Sequence, residues 1–344
     1  MSIQQLFGIE LPIVQAPMAG VQGSALAIAV SNAGGLGSLP AAMLGPEALR
    51  SELAALRAGT TRPFNLNFFC HAAPALQPER EAAWSAALAG YRAELGVQAT
   101  SATAPREPLT ASVADLVAPF APAVVSFHFG LPSAELLARV RAWGAKVLSS
   151  ATTVAEARWL AERGVDAIVA QGLEAGGHRG MFLHDDPNTQ MGTFALLPQI
   201  VAAVDVPVIA AGGIADAHGV AAALALGAVG VQVGTAYLLC TEAATSAVHR
   251  AALRAPGREH TALTNLFSGR PARGIVNRVM RELGPISPLA PDFPLAAAAM
   301  APLRSAAEAR GSADFSPLWA GQNTSGCDEI GAARMTRRLA GLGG

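Results

Sequence analysis

The sequence is short of charge, cysteine and aromatic residues, and each shortage closes off a class of function. Only 14% of its 344 residues are charged, and 24 Lys and Arg stand against 25 Asp and Glu, a net charge of -1. With no Lys/Arg-rich run either, a footprint for nucleic acid is missing. The three cysteines, Cys70, Cys240 and Cys327, form no C-x-x-C pair, which argues against a disulfide framework or a zinc site and for a reducing compartment. The longest apolar stretch, residues 219–231, is too short and too rich in Gly and Ala to span a bilayer, so no membrane partner is expected. The first residues, MSIQQLFGIELPIVQ, show no basic segment followed by an apolar one, and a cytoplasmic location is the expectation. His71, His184, His218, His249 and His260 have no second ligand at metal-binding spacing, and Asp185 and Asp186 read as a solvated loop, so no metal is expected.

What is abundant is apolar: 51% of the chain, enough for a large core. Alanine-rich helical stretches alternate with short Val/Ile runs bounded by Gly or Pro, the pattern of parallel strands buried on both faces. About eight such strands can be read: 12–16, 35–39, 64–68, 124–127, 146–149, 167–170, 207–211 and 230–233. One unit shows the logic. Thr153 and Glu156 have capping-box spacing, Val154, Ala157, Leu160 and Ala161 form an apolar stripe, and Gly164 supplies a left-handed stop. Eight strand–helix units favour a closed (β/α)8 TIM barrel, since closure leaves no exposed edge. Two regions break the rhythm. Residues 71–121 hold one helical pattern near 78–95 and a Ser/Thr/Ala/Pro loop at 99–111. Beyond about residue 255 the chain turns irregular, with an Ala-rich helix near 297–310. The sequence therefore predicts a barrel over 1–255 and a C-terminal helical extension over 256–344 that covers the catalytic face.

Active sites of such barrels lie at the C-terminal ends of the strands. That rule selects Pro17–Gly20, Asn67 and Phe68, His128 and Gly130, the run 171–180 reading QGLEAGGHRG, the run 212–216 reading GGIAD, and Gln232–Thr235. Gly212 and Gly213 allow close backbone approach, and with Gln232, Val233, Gly234 and Thr235 opposite they read as a phosphate cradle; a mere tight strand-to-helix turn is the alternative. In EAGGHRG the glycines make room for a ring-sized ligand, and His178 can act as acid, base or fixed dipole near neutral pH; a packed loop histidine is the alternative. Asn67 is open between binding a ligand and closing a turn, and His128 between facing the pocket and packing in a loop. Glu174 and Arg179 are expected to pair with each other. Cys240 is expected to pack rather than react. With only two tyrosines, Tyr91 and Tyr237, aromatics at the pocket entrance are expected to be scarce.

QAPMAG at 15–20, GGLGSL at 34–39, EAGGHRG at 174–180 and AAGGI at 210–214 together resemble the nitronate monooxygenases. FSGRPARG at 267–274 and LWAGQ at 318–322 resemble the longer, class I branch of that family, so the likeness covers nearly the whole chain. The resemblance implies a non-covalent FMN and an oxygen-using oxidation of alkyl nitronates, such as propionate 3-nitronate, to a carbonyl compound and nitrite. It implies further that Asn67, Gln171, Gly176, Gly213 and Gln232–Thr235 bind FMN and that Met18 and Ala19 line the flavin ring. His178 would be catalytic, and His128 would help to bind the small anionic substrate; a homodimer is also compatible. Two other readings stay open. One is an FMN barrel of the same superfamily that reduces a quinone or an enoyl thioester with NADH or NADPH. The other is a barrel that binds a phosphorylated metabolite without redox chemistry.

Overall fold

A computed structural model describes residues 2–75, 77–99 and 108–343. Most of the loop expected at 99–111 thus lies outside the described residues. The strands are β1 (Ile13–Gln15), β2 (Gly37–Pro40), β3 (Phe64–Phe69), β4 (Val124–His128), β5 (Lys146–Ala151), β6 (Ala167–Gln171), β7 (Gly177–His178), β8 (Val208–Ala211), β9 (Gly230–Val233), β10 (Thr261–Thr264) and β11 (Ala272–Ile275). Eight of them form one parallel sheet in the order β1-β9-β8-β6-β5-β4-β3-β2. It closes between β1 and β2 through a bridge from Val14 to Leu36, with Leu36 N donating to Ile13 O at 2.8 Å and Gln15 N to Leu36 O at 2.9 Å. The expected (β/α)8 barrel is therefore the fold, and each expected strand is present with its ends moved by at most two residues.

Alternation along the strands sorts the interior from the surrounding helices. Val14, Leu36, Val124, Leu148, Val169 and Ile209 fill the barrel, and Ile3 and Phe7 of a short helix plug its N-terminal end. The outward-facing strand residues and the helices build the main core. At the opposite, C-terminal end the interior turns polar, with Ser38, Asn65, Asn67, Ser126, Ser150 and Gln171 all buried. Buried polar side chains are tolerated where they bond one another: Ser38 N donates to Gln15 Oε1 (3.0 Å), Asn65 Nδ2 to Ser38 Oγ (3.0 Å) and Asn67 Nδ2 to Ser126 Oγ (2.9 Å).

The two regions that break the strand–helix rhythm meet each other. The stretch 78–95 is two helices, Pro78–Ala87 and Ala89–Leu95. Their Trp84, Leu88 and Leu95 pack with Met300, Leu303 and Ala307 of helix Ala296–Ala309 and with Phe315. This second core holds a cover in place over the C-terminal mouth. β10, β11 and β7 form a small antiparallel sheet that ties the 177–178 segment to that cover. The chain after 255 has two destinations. Residues 261–321 build the cover, while helix Ala332–Leu339 returns to the barrel wall, where Met335 and Leu339 join the main core and Tyr237 Oη bonds Thr336 Oγ1 at 2.9 Å.

The Thr153 cap forms, its Oγ1 accepting from Glu156 N at 3.2 Å, but the reciprocal half of the expected capping box does not. Glu156 is fully buried and turns instead to Thr152 N and Oγ1 (both 2.7 Å) and to Phe182 N (2.7 Å). A buried carboxylate gains more from several N–H and O–H donors than from one helix-end amide. The result ties β5 to the loop that follows His178.

Candidate active site

A cavity of about 350 Å³ opens at the C-terminal end of the barrel beneath the cover. The residues that the resemblance assigned to cofactor or substrate line it: Met18, Ala19, Asn67, His128, Gln171, Gly176, His178, Gly213, Gln232, Val233, Gly234 and Thr235; Phe68, Gly130, Arg179 and Asp216, also selected by strand-end position, do not.

One end is the glycine cradle. Gly212 and Gly213 follow β8 with φ of +116° and +74°, which side chains other than glycine rarely adopt. A Cβ on Gly212 would sit 2.8 Å from Thr193 Oγ1 and 3.1 Å from Ala175 N. Asp216 then caps helix Ala217–Ala225 by accepting from Gly219 N at 2.8 Å. Across the cleft, Thr235 opens a single 3-10 turn, and its Oγ1 accepts from Gly321 N at 2.9 Å. Asn323 Nδ2 donates to Gly213 O at 3.0 Å, so the tail closes on both glycine loops. The LWAGQ segment thus completes the cradle, a role its sequence alone did not disclose.

The loop after β6 explains its glycines differently from the sequence reading. A Cβ on Gly176 would lie 2.5 Å from the backbone of Ala320 and Gly321, so Gly176 makes room for the tail as much as for a ligand. Gly177 has φ +71° and open space where a Cβ would stand. Glu174 and Arg179 do not form the expected ion pair. Glu174 holds Thr193 N at 2.8 Å and Thr193 Oγ1 at 2.9 Å at the start of helix Thr193–Ala203. Arg179 is fully buried and gives its guanidinium to Gln171 O (2.6 Å), Gly172 O (2.7 Å) and Gln190 Oε1 (3.0 Å).

His178 faces the cavity, with Nε2 2.8 Å from Ser268 Oγ. Its main chain is fixed from three sides. β7 pairs with β11, Gln171 Nε2 donates to His178 O at 3.0 Å, and His128 Nε2 lies 3.1 Å from the same carbonyl. Because that contact is to a carbonyl, His128 carries its proton on Nε2, and Nδ1 accepts from Ser150 Oγ at 3.1 Å. Burial, with the Arg179 and Arg270 charges adding to it, pushes the His128 pKa down to about 4, so the ring is neutral near pH 7. Nε2 of His128 and the carboxamide of Gln171, which also accepts from Gly180 N at 2.7 Å, are spent on holding the His178 loop, while Nδ1 of His128 is taken by Ser150 on β5. His128 and Gln171 line the cavity but act first on His178.

Aromatic rings are not scarce here. Phe69, Phe129, Phe293 and Trp319 surround His178 with centroid distances of 6.2, 6.1, 5.3 and 5.5 Å. They come from β3, the loop after β4 and two separate tail segments, so no local pattern announced them; the tyrosine count misled because phenylalanine and tryptophan do the lining. Ser268, Ser126 and Ser150 were also missed, although Ser268 lies in the FSGRPARG run. Cys240 is fully buried, and burial pushes its thiol up to about 12, as expected of a packing residue. Among the described residues no cluster could hold a metal ion, and no helix is long and apolar enough to cross a membrane.

The family model described as nitronate monooxygenase matches residues 2–337. The nitronate monooxygenase of Pseudomonas aeruginosa is 43% identical over 342 residues, 97% of both chains. That of Paraburkholderia phytofirmans is 43% identical over 97% of this chain and 92% of its own. Among solved structures, the nitroalkane oxidase of Streptomyces ansochromogenes superposes with a TM-score of 0.91 at 39% identity, covering 99% of this chain and 97% of that one. FabK of Thermotoga maritima reaches a TM-score of 0.72 at 26% identity over 99% and 96%. With a family match over residues 2–337 and relatives 43% identical over nearly the whole chain, the chain belongs to the nitronate monooxygenase family.

Proposed function

We propose that the protein is an FMN-dependent oxidoreductase that uses molecular oxygen to convert alkyl nitronates to a carbonyl compound and nitrite. The observation that carries the reading is the pairing, within one cavity, of a glycine cradle at one end and an aromatic-walled histidine at the other. A phosphate suits the cradle, because positive-φ glycines leave main-chain N–H groups unshielded and a larger residue at 212 would collide with Thr193. In this reading Gly213, Gly234 and Thr235 hold the phosphate, and Gln232, Val233 and Gly176 flank the chain leading from it. Met18 and Ala19 line the ring, with Asn67 at its edge and Gln171 behind the His178 loop. FMN supplies the redox chemistry and the route to oxygen; the protein supplies position and field.

The chain's own residues then have distinct tasks. Phe69, Phe129, Phe293 and Trp319 exclude water around His178, which strengthens any hydrogen bond made there. Ser268 Oγ lies 3.4 Å from Arg270 O, so its proton can point there and its lone pair can accept from His178 Nε2–H. In that tautomer His178 can serve as the base toward the α-proton of a neutral nitroalkane. A nitronate already carries its charge and needs no base, only a donor and a positive field, which a protonated His178 would provide. The proposal is tested by oxygen uptake and nitrite release when the purified protein is given ethyl nitronate; a flavin-loaded protein that consumes no oxygen with any alkyl nitronate would sink it.

A further inference from the structure

The cavity continues beyond His178 into a lobe between two helices of the C-terminal half, Ala247–Arg254 and Ala296–Ala309. Trp319 bridges the two parts: its ring stands 5.5 Å from that of His178, and its backbone carbonyl faces the ring of His249. Ser246 caps the first helix by accepting from His249 N at 3.4 Å, and His249 and Leu253, one turn apart, are its buried residues. The second helix turns Ala297, Ala301, Arg304 and Glu308 to the cavity, a spacing that keeps all four on one face. The alanines leave a passage for an alkyl chain, and the far end is polar. There Arg304 Nε donates to Glu308 Oε1 at 2.8 Å, and Ser316 Oγ donates to the same oxygen at 2.7 Å. The two opposite charges offset each other. Burial pushes the His249 pKa down to about 4, so its ring is uncharged near pH 7. With the ring N–H turned to the Trp319 carbonyl, Nε2 is a lone-pair acceptor, and among the described residues it finds no hydrogen-bond partner. A buried acceptor left unpaired is costly, and a hydroxyl donor would satisfy it. An anionic end group would instead confront both that lone pair and the Glu308 carboxylate, with Arg304 already engaged.

We propose that this lobe is a subsite for the far end of the substrate and takes an uncharged hydroxyl on an alkyl chain, donated to His249 Nε2. The substrates it selects are ω-hydroxyalkyl nitronates several carbons long, with the nitronate at His178 and the chain running past Trp319 along Ala297 and Ala301. The inference rests on the functional reading above for the reacting group, but not for the end group that the lobe recognises.

Carboxylates share the planar anionic head of a nitronate and serve as inert probes. ω-Hydroxyhexanoate and heptanoate are equal in length and differ only in a hydroxyl for a methyl group. Titrated calorimetrically into the flavin-loaded enzyme, the hydroxy acid is expected to bind about fivefold tighter, the worth of one neutral hydrogen bond. ω-Hydroxypropanoate and butanoate, too short to reach the lobe, should bind alike. Pimelate, which ends the same chain in a second carboxylate, should bind more weakly than heptanoate. His249→Phe keeps a ring but not the acceptor and should turn the preference toward heptanoate, whereas His249→Gln restores a side-chain acceptor and should keep part of it. The assignment is overturned if wild type binds the longer pair alike or not at all, if the short pair shows the same preference, if pimelate is favoured, or if His249→Phe retains the wild-type preference. Ethyl nitronate turnover by wild type is scored separately. A hydroxyl preference that tracks His249 in a protein without that turnover would support the subsite while removing the reaction.

Discussion

Ser268 Oγ meets His178 Nε2 at 2.8 Å across 90 residues of sequence, joining the loop after β6 to the C-terminal extension. The contact makes the cover a part of the site. Ser268→Ala removes the partner that fixes the ring's tautomer but leaves β7 and β11 paired. A lost neutral hydrogen bond of about 1 kcal/mol corresponds to roughly a fivefold fall in kcat with ethyl nitronate, with KM little changed. His178→Asn should cost far more with nitroethane, which needs a base, than with ethyl nitronate, which does not. Steady-state oxygen uptake with both substrates checks the ordering; equal losses would remove the distinction between base and anion partner.

The strands and their ends were legible because a buried parallel strand has a local signature, a Val/Ile run between turn residues. Fold and strand-end geometry together brought the candidate cofactor and substrate residues, from Met18 to Thr235, into one cavity. What stayed hidden is what depends on distance along the chain. Nothing near Phe69 says that Phe293 stands 6.1 Å away, and nothing near Gly213 says that Asn323 closes on it. The Glu174–Arg179 pairing failed for a related reason: proximity in sequence suggested a salt bridge, whereas a buried loop spends such groups on its own carbonyls and on a helix N-terminus.

Gly212 and Gly213 should not respond alike to alanine. At 212 the added carbon meets Thr193 Oγ1 at 2.8 Å as well as an unfavourable φ, while at 213 its nearest neighbour is the Glu174 side chain at 3.6 Å. Gly213→Ala pays chiefly backbone strain, about 1 kcal/mol, and should retain much of its flavin. Gly212→Ala should be purified largely colourless. The ratio of 450 nm to 280 nm absorbance decides; equal flavin content in the two variants would place the phosphate elsewhere.

His128 and His249 both have pKa values pushed down to about 4, in each case first by burial. In the unfolded chain they titrate near 6.5, so between about pH 4 and 6.5 the unfolded state binds more protons than the native one. Stability therefore rises with pH through that window and is lost on acidification, by about 1.4 kcal/mol per pH unit for each site. Thermal unfolding should show Tm falling steeply below about pH 6. His249→Gln, whose ring is 3% exposed and whose Nε2 finds no hydrogen-bond partner, should flatten the slope. An unchanged slope would mean that the His249 ring is not held neutral by its surroundings.

The reductase reading makes an opposite demand on the same cavity. If the flavin were reduced by NADH or NADPH, anaerobic mixing would bleach its visible band within the turnover time, and oxygen would serve only to reoxidise it. With a nitronate as the electron donor, bleaching should follow ethyl nitronate and not the nicotinamide. The cavity favours the second outcome on size. At about 350 Å³ it is near the lower bound for a small-molecule site, and a flavin ring laid across it leaves room for a small ion more readily than for a nicotinamide and its sugar. Stopped-flow absorbance with each donor separates the two, and rapid bleaching by NADH with no response to nitronate would assign the protein to the reductases.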